Sequence, residues 1–157
     1  MLWKYLAAFF ISMVPIIELR GAIPIAVGYG IHPVVAYLIC VIGNMIPVPF
    51  IYFFARKFLL WGSDKPVIGK FFHWCVAKGE KAGQKLMAKG KKGGLVIALM
   101  LFVGTPIPGT GAWTGTLAAS FLDMGIKKTT IAVSLGVIMA GIIMALTSAG
   151  VFAAIGF

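Results

Sequence analysis

The stretch Thr105-Pro-Ile-Pro-Gly-Thr-Gly-Ala-Trp-Thr-Gly115 lies inside a segment, Gly93 to Leu122, that carries no charged residue. Its two prolines remove backbone donors and stop any helix that enters, and its three glycines leave the main chain uncovered. Such a main chain is tolerated in a bilayer only where protein buries it or a water-filled cavity reaches it. A second stretch, Pro15-Ile-Ile-Glu-Leu-Arg-Gly-Ala-Ile-Pro24, interrupts the first apolar run in the same way and adds two opposite charges. The pair reads as two re-entrant elements facing each other, with a polar site between them.

That the surroundings are a bilayer follows from composition. Of 157 residues 61% are hydrophobic and 11% charged, with a mean hydropathy of +1.02, more apolar surface than one small soluble core can bury. The expectation is a multi-pass protein of the cell (inner or plasma) membrane. The net charge of +10 does not signal nucleic acid: ten of the fourteen Lys and Arg lie between Arg56 and Lys92, as in one cytoplasmic loop under the positive-inside tendency. Cys40 and Cys75 have no paired spacing and read as packing residues. The first residues, Met1 to Phe10, have the look of a signal peptide, but Glu18 and Arg20 stand where a small-residue cleavage site belongs, so the segment is expected to be retained.

Taken in order, Tyr5 to Val14 reaches only about 15 Å, half a hydrocarbon core. Pro15 stops it, and Gly21 to Gly30 offers a second short limb ending at His32-Pro33. Val34 to Ala55 is a charge-free crossing that Pro47-Val-Pro49 should kink, closed by Arg56-Lys57. Lys78, Lys81, Lys85 and Lys89 then recur at helical spacing, with Phe71, Phe72 and Trp74 upstream. This connector, 58–93, reads as an interfacial amphipathic helix on anionic inner-leaflet lipid, or alternatively as a solvated linker. Leu95 to Gly104 is again a half-span, Thr110 to Leu122 returns from the break, and Thr129 to Phe157 is long enough to cross. Gly136, Gly141 and Gly150 give that last helix flat faces for close packing.

The halves therefore match: short limb, break, short limb, polar punctuation, full crossing. Aligning Arg20-Gly-Ala22 with Thr110-Gly-Ala112 superimposes the breaks at an offset of 90 residues. The expected fold class is an all-α integral membrane protein, an inverted repeat of two units, each a re-entrant helical hairpin followed by a transmembrane helix. The first unit is 1–57 (hairpin about 5–31, crossing about 34–57), and the second is 94–157 (hairpin about 95–122, crossing about 129–155). Hairpins put Lys127 and Lys128 on the side of the basic loop, whereas continuous crossings would place them opposite.

Glu18 and Arg20 are the ionisable residues that lie deep in apolar sequence. Each costs about 2.5–3.5 kcal/mol at a bilayer centre on insertion scales, so each needs a partner, a cavity or a task. If the tip is unwound, both can turn to one cavity, Arg20 receiving an anionic group and Glu18 exchanging a proton. A structural ion pair pinning the tip is the alternative. Opposite them, Thr105, Thr110, Thr114 and Thr116 supply hydroxyls, and the amides of Gly109, Thr110 and Gly111 at the start of the returning helix offer an anion cradle. The candidate site is completed by Gly21, Pro24, Pro106, Pro108, Trp113 as a wall, and Asn44, which alternatively bonds a neighbouring helix. No nucleophile with its base, metal-ligand cluster or phosphate loop occurs, so neither an enzyme nor a cofactor is expected.

Pro15 to Pro24 and Thr105 to Gly115 resemble the two signature segments of the small multidrug export protein family, and the resemblance covers nearly the whole chain. That family is distantly similar to the DedA/VTT superfamily, whose members pair re-entrant loops in an inverted repeat and include lipid scramblases and carriers of lipid phosphates. The resemblance implies a proton-responsive polar site at Glu18, Arg20 and the Thr110 region. The chain departs from the DedA pattern in holding both charges in its first loop. The expected function is a small transporter or flippase for an anionic amphiphile such as a lipid phosphate, proton-coupled through Glu18 and working as a homodimer. Efflux of cationic hydrophobic compounds and a non-transporting membrane scaffold are the alternatives.

Overall fold

Among the described residues two helical stretches are long and apolar enough to cross a membrane, Pro33–Phe54 with 22 residues and Ile126–Ala154 with 29. At 1.5 Å per residue they run about 33 and about 44 Å, against a hydrocarbon core of about 30 Å. The structure is a computed structural model and describes residues 2–64, 66, 69–70, 73–74, 77, 81, 84, 88, 94–107 and 109–156. Among these every regular element is helical. The expected amphipathic helix over the basic connector lies outside the described residues.

Before the first crossing come α1 (Leu2–Met13) and α2 (Glu18–Gly28), joined by the break Val14 to Ile17. The crossing opens as α3 (Pro33–Met45), with Pro33 in the first turn and the His32 ring accepting the Val34 amide at 3.3 Å. The predicted disturbance at Pro47-Val-Pro49 is present: α3 gives way to α4 (Pro47–Phe50), one π-helical segment (Ile51–Ala55) and α5 (Arg56–Ser63). Neither proline has an N–H, so the Gly43 and Met45 carbonyls lose their helical donors and the chain widens by a turn to continue. After the connector, α6 (Leu95–Gly104) and α7 (Ala112–Phe121) flank the second break, and α8 (Ile126–Ala154) is the second helix of crossing length, the two being called crossings for that length.

One boundary differs from expectation. The second limb begins at Glu18, not Gly21, so Glu18 and Arg20 occupy the first turn of a helix and not an unwound tip. Glu18 starts that helix with φ of 50°, a left-handed conformation that non-glycine residues rarely adopt.

Side-chain contacts fix the directions of the helices. Trp3 stacks edge-on with Tyr29 and the Lys4 ammonium donates to the Tyr29 carbonyl, so α1 and α2 are antiparallel. Cys40 of α3 meets the Ala8 carbonyl at 3.8 Å and Gly43 packs on Ser12, which makes α1 and α3 parallel. Gly104 lies against Met139 and Gly136 against Met100 and Val103, so α6 and α8 are parallel too. Gly141 sits on Tyr37 and Val41 while Ser134 reaches Met45 at 3.8 Å, so the two crossings are antiparallel.

The short helices thus line up tip to tip along the long ones. Beside the first crossing α1 packs at Gly43, and α7 continues beyond it to Ser120, whose hydroxyl donates to the Tyr52 carbonyl at 2.8 Å. Along α8 the sequence is α6 beside Gly136 and Met139, then α2, whose Gly28 packs on Phe152. The Gly125 amide donates to the Tyr52 hydroxyl at 3.0 Å, which sets the start of α8, with exposed Lys127 and Lys128, at the Lys57 end of the first crossing.

Core positions are small, as close helix approach demands: Ala132, Val133, Gly136, Val137, Ala140 and Gly141 of α8 are all buried. Many large apolar side chains point outward, among them Phe50 and Leu146 at 63% and 69% exposure, as on a lipid-facing surface. The close packing expected of the α8 glycines is found for two of the three. Gly136 and Gly141 pack inside the chain against α6 and α3, and Gly150 alone of the three has open space around it.

Candidate functional site

Both breaks face a cavity of about 300 Å³ between them. Its walls are Pro15, Ile16, Ile17, Glu18, Arg20 and Gly21 from one side, Pro106, Gly109, Gly111 and Thr114 from the other, and Met144 of α8. Four helix ends converge here: the C-termini of α1 and α6, which present carbonyls beyond the reach of their own helix's amides, and the N-termini of α2 and α7, which present amides.

Glu18 serves the N-terminus of α7. One carboxylate oxygen accepts the Trp113 amide at 3.1 Å, and the side chain is 5% exposed. This position has no Ser, Thr, Asp or Asn cap of its own, since Gly111 precedes the helix. A Cβ on Gly111 would overlap the Glu18 carboxylate, so glycine is what lets the carboxylate approach.

Arg20 serves the opposite pole, the C-terminus of α6. Its guanidinium donates to the Val103 carbonyl at 2.9 Å, to the Thr105 carbonyl at 2.7 Å, to the Ile107 carbonyl, and to the Thr110 hydroxyl at 3.2 Å. A planar fork with five N–H groups can hold several acceptors at once, which a lysine ammonium on its flexible stem cannot do in the same geometry. The Thr110 hydroxyl also lies 2.9 Å from the Thr105 carbonyl and 2.8 Å from that of Ile107, and so closes the break on itself.

The charges depart from the structural ion pair that was the alternative. They do not form a direct ion pair; each grips a different backbone end of the second break, with the sign the helix dipole favours. Nor does Arg20 face the amides at the start of α7, because Glu18 already holds that place. The cause is the helical first turn of α2: residues two apart on a helix diverge, whereas an unwound tip would let them converge.

Other predicted residues fall into place unevenly. Thr105 is exposed, with its hydroxyl donating to the Leu101 carbonyl at 2.6 Å, and Gly109 takes a φ of 86° that favours glycine. Trp113 does not line the cavity as expected of a wall; its indole N–H donates to the Met13 carbonyl at 3.0 Å, capping α1 as Arg20 caps α6. Pro24 lies within α2 and does not line the cavity. Asn44 is 1% exposed and also lies apart from it. Pro108 lies outside the described residues. Sequence reasoning did not find the Met13, Val103 and Ile107 carbonyls or Met144. Backbone acceptors carry no residue signature, although Met13 and Val103 are themselves 90 positions apart, the offset that superimposes the breaks.

Among the described residues no group of three or more His, Cys, Asp or Glu is placed to hold a metal ion. No curated protein and no solved structure matches the chain. Residues 18–143, which begin at the cavity's carboxylate and take in α2, the second break and part of α8, match the family described as "Putative small multi-drug export protein". The chain, whose described regular elements are all helical and include two apolar helices of crossing length, is matched over most of its length and therefore belongs to that family of membrane export proteins.

Proposed function

We propose that the chain is a proton-linked transporter for an anionic amphiphile, a lipid phosphate in the first instance, with its substrate site in the cavity between the breaks. The observation that carries this reading is the Glu18 carboxylate at the N-terminus of α7. That carboxylate sits where an external anion would bind, held by an amide and a helix dipole. Protonation of Glu18 removes the internal anion and leaves Arg20 and the α7 amides facing the cavity with net positive character. Substrate anion and Glu18 carboxylate then compete for one place, which links binding to proton uptake.

The antiparallel crossings, each lined by two short helices meeting tip to tip, support an inverted repeat with re-entrant hairpins, the architecture implied by similarity to the DedA/VTT superfamily. On this reading the protein is a multi-pass protein of the cell membrane whose Lys57 and Lys127 end faces the cytoplasm. The basic connector contacts anionic lipid, and a homodimer forms through an outward apolar face that includes Gly150.

The family description favours a second reading, efflux of cationic hydrophobic compounds with Glu18 as the binding charge. Against it stands Arg20 in the same cavity, which opposes a cation. A non-transporting scaffold is the third. The test is proton-driven transport in liposomes, with a fluorescent polyprenyl phosphate and a cationic dye as parallel substrates. Movement of the lipid phosphate that responds to a pH gradient in the wild type, and no longer responds in Glu18→Gln, is the expected result. Movement of the dye alone would transfer the site to cation efflux, and movement of neither would leave the scaffold.

A further inference from the structure

Away from the cavity, one group of polar side chains is fully enclosed without a protein partner. Asn44 is 1% exposed, and neither its amide nitrogen nor its oxygen is hydrogen-bonded; Thr116 and Thr129 are 0% exposed, and neither hydroxyl is bonded. Buried polar groups in native proteins find partners, and where protein supplies none the usual partner is ordered water.

The helix register places the three at neighbouring heights along the first crossing. Thr116 lies one turn before Ser120, whose hydroxyl bonds the Tyr52 carbonyl, so Thr116 faces the crossing near Val48. Asn44 is a further turn from Val48, next to Gly43, which packs on Ser12 at the end of α1. That is the height at which Trp113 bonds Met13 and Glu18 bonds Trp113. Thr129 lies in α8 between Gly125, which bonds Tyr52, and Ser134, which touches Met45. Between the same heights Pro47 and Pro49 leave the Gly43 and Met45 carbonyls without α-helical donors. The series thus leads from the level of Glu18 toward the crossing's Lys57 end.

We propose that Asn44, Thr116 and Thr129, with the proline-freed carbonyls of Gly43 and Met45, hold a file of ordered water that carries protons between Glu18 and the Lys57 end of the protein. The chemistry selects water over a metal cation. A cation would engage the Asn44 oxygen and the carbonyls but leave the Asn44 N–H₂ unpaired, whereas water accepts from that group and donates to the others. The proposal rests on the proton-exchange role of Glu18 given above. The ionisable group facing Glu18 is Arg20; the preceding break contributes Pro15, Ile16 and Ile17, the second break and α7 contribute Pro106, Gly109, Gly111 and Thr114, and α8 contributes Met144.

The experiment is a pH jump on the protein in lipid nanodiscs, with the Glu18 carboxyl followed by time-resolved infrared difference spectra and its band assigned by Glu18→Gln. Thr116→Val, which removes a hydroxyl at nearly constant shape, and Asn44→Leu are expected to slow protonation of Glu18 by about tenfold or more while leaving the end-point titration in place. Should Asn44→Leu fail to fold, Thr116→Val carries the test. Ser148→Ala removes another enclosed and unpartnered hydroxyl, on the far side of Met144, and is expected to leave the rate unchanged. Equal rates in wild type, Thr116→Val and Asn44→Leu would overturn the file while leaving Glu18 as the proton carrier, as would slowing by Ser148→Ala alone. A wild-type Glu18 that does not titrate at all would instead remove the proton-exchange reading, and the file with it.

Discussion

Glu18 and Trp113, 95 residues apart in sequence, meet at 3.1 Å, a carboxylate from the first break accepting the amide that opens the helix after the second. Two positions along, Arg20 crosses the same gap to the carbonyls that end the helix before the second break. Opposite charges on one helical turn thus hold the two poles of the other break. The cavity exists between them because each charge is spent on backbone and not on the other.

Gly111→Ala tests the closeness of that approach. Its Cβ would overlap the Glu18 carboxylate, and the change should cost about 1–3 kcal/mol as overpacking and abolish transport. The double change Gly111→Ala with Glu18→Asp should recover part of the stability, since the shorter acid makes room. Thermal unfolding in detergent measures both; additive losses would show that the two positions are independent.

Arg20→Lys keeps the charge and loses the fork. Hydrogen bonds to charged groups contribute about 1.5–3 kcal/mol, and since Arg20 is only half-buried we expect a net loss of about 2 kcal/mol together with most of the transport. Wild-type stability in this variant would mean that charge alone, and not the planar geometry, closes the end of α6.

The glycines of α8 should separate sharply. At Gly136 a Cβ would lie 2.7 Å from the Met100 carbonyl oxygen, which belongs to a helix backbone and cannot turn aside. Gly136→Ala should therefore cost about 1–3 kcal/mol, whereas Gly150→Ala, with nothing within 4 Å, should stay within about 0.5 kcal/mol of wild type. If Gly150→Ala is the one that destabilises in membranes, a second copy packs there.

Single cysteines at His32 and Lys127 read the topology. The antiparallel crossings put Lys127 at the Lys57 end and His32 at the other, so a membrane-impermeant thiol reagent should label them from opposite sides. Labelling from one side would show that the helices do not cross as the hairpin arrangement requires.

The breaks were legible in the sequence because proline and glycine act on their own backbone. Pro15, Pro106 and Gly109 disrupt a helix through their own backbone, so half-span limbs, two breaks and two long helices could be written down from residue type and length. The interruption at Pro47 and Pro49 was readable for the same reason. Composition alone likewise placed the chain in a bilayer, and the resemblance of its two signature segments agrees with the family match. What the charges do was not legible. Whether Glu18 and Arg20 pair with each other or part company depends on whether the first turn of α2 is wound, and winding is decided by what packs on it. Which backbone groups they meet depends on two segments 83 to 95 residues away arriving at the same depth. The same holds for Gly136 and Gly141: a small residue announces that something comes close, and only the packed helices decide that the neighbour is the chain itself. Local backbone chemistry is a property of each residue; the partner of a buried charge or of a bare helix face is a property of the whole fold.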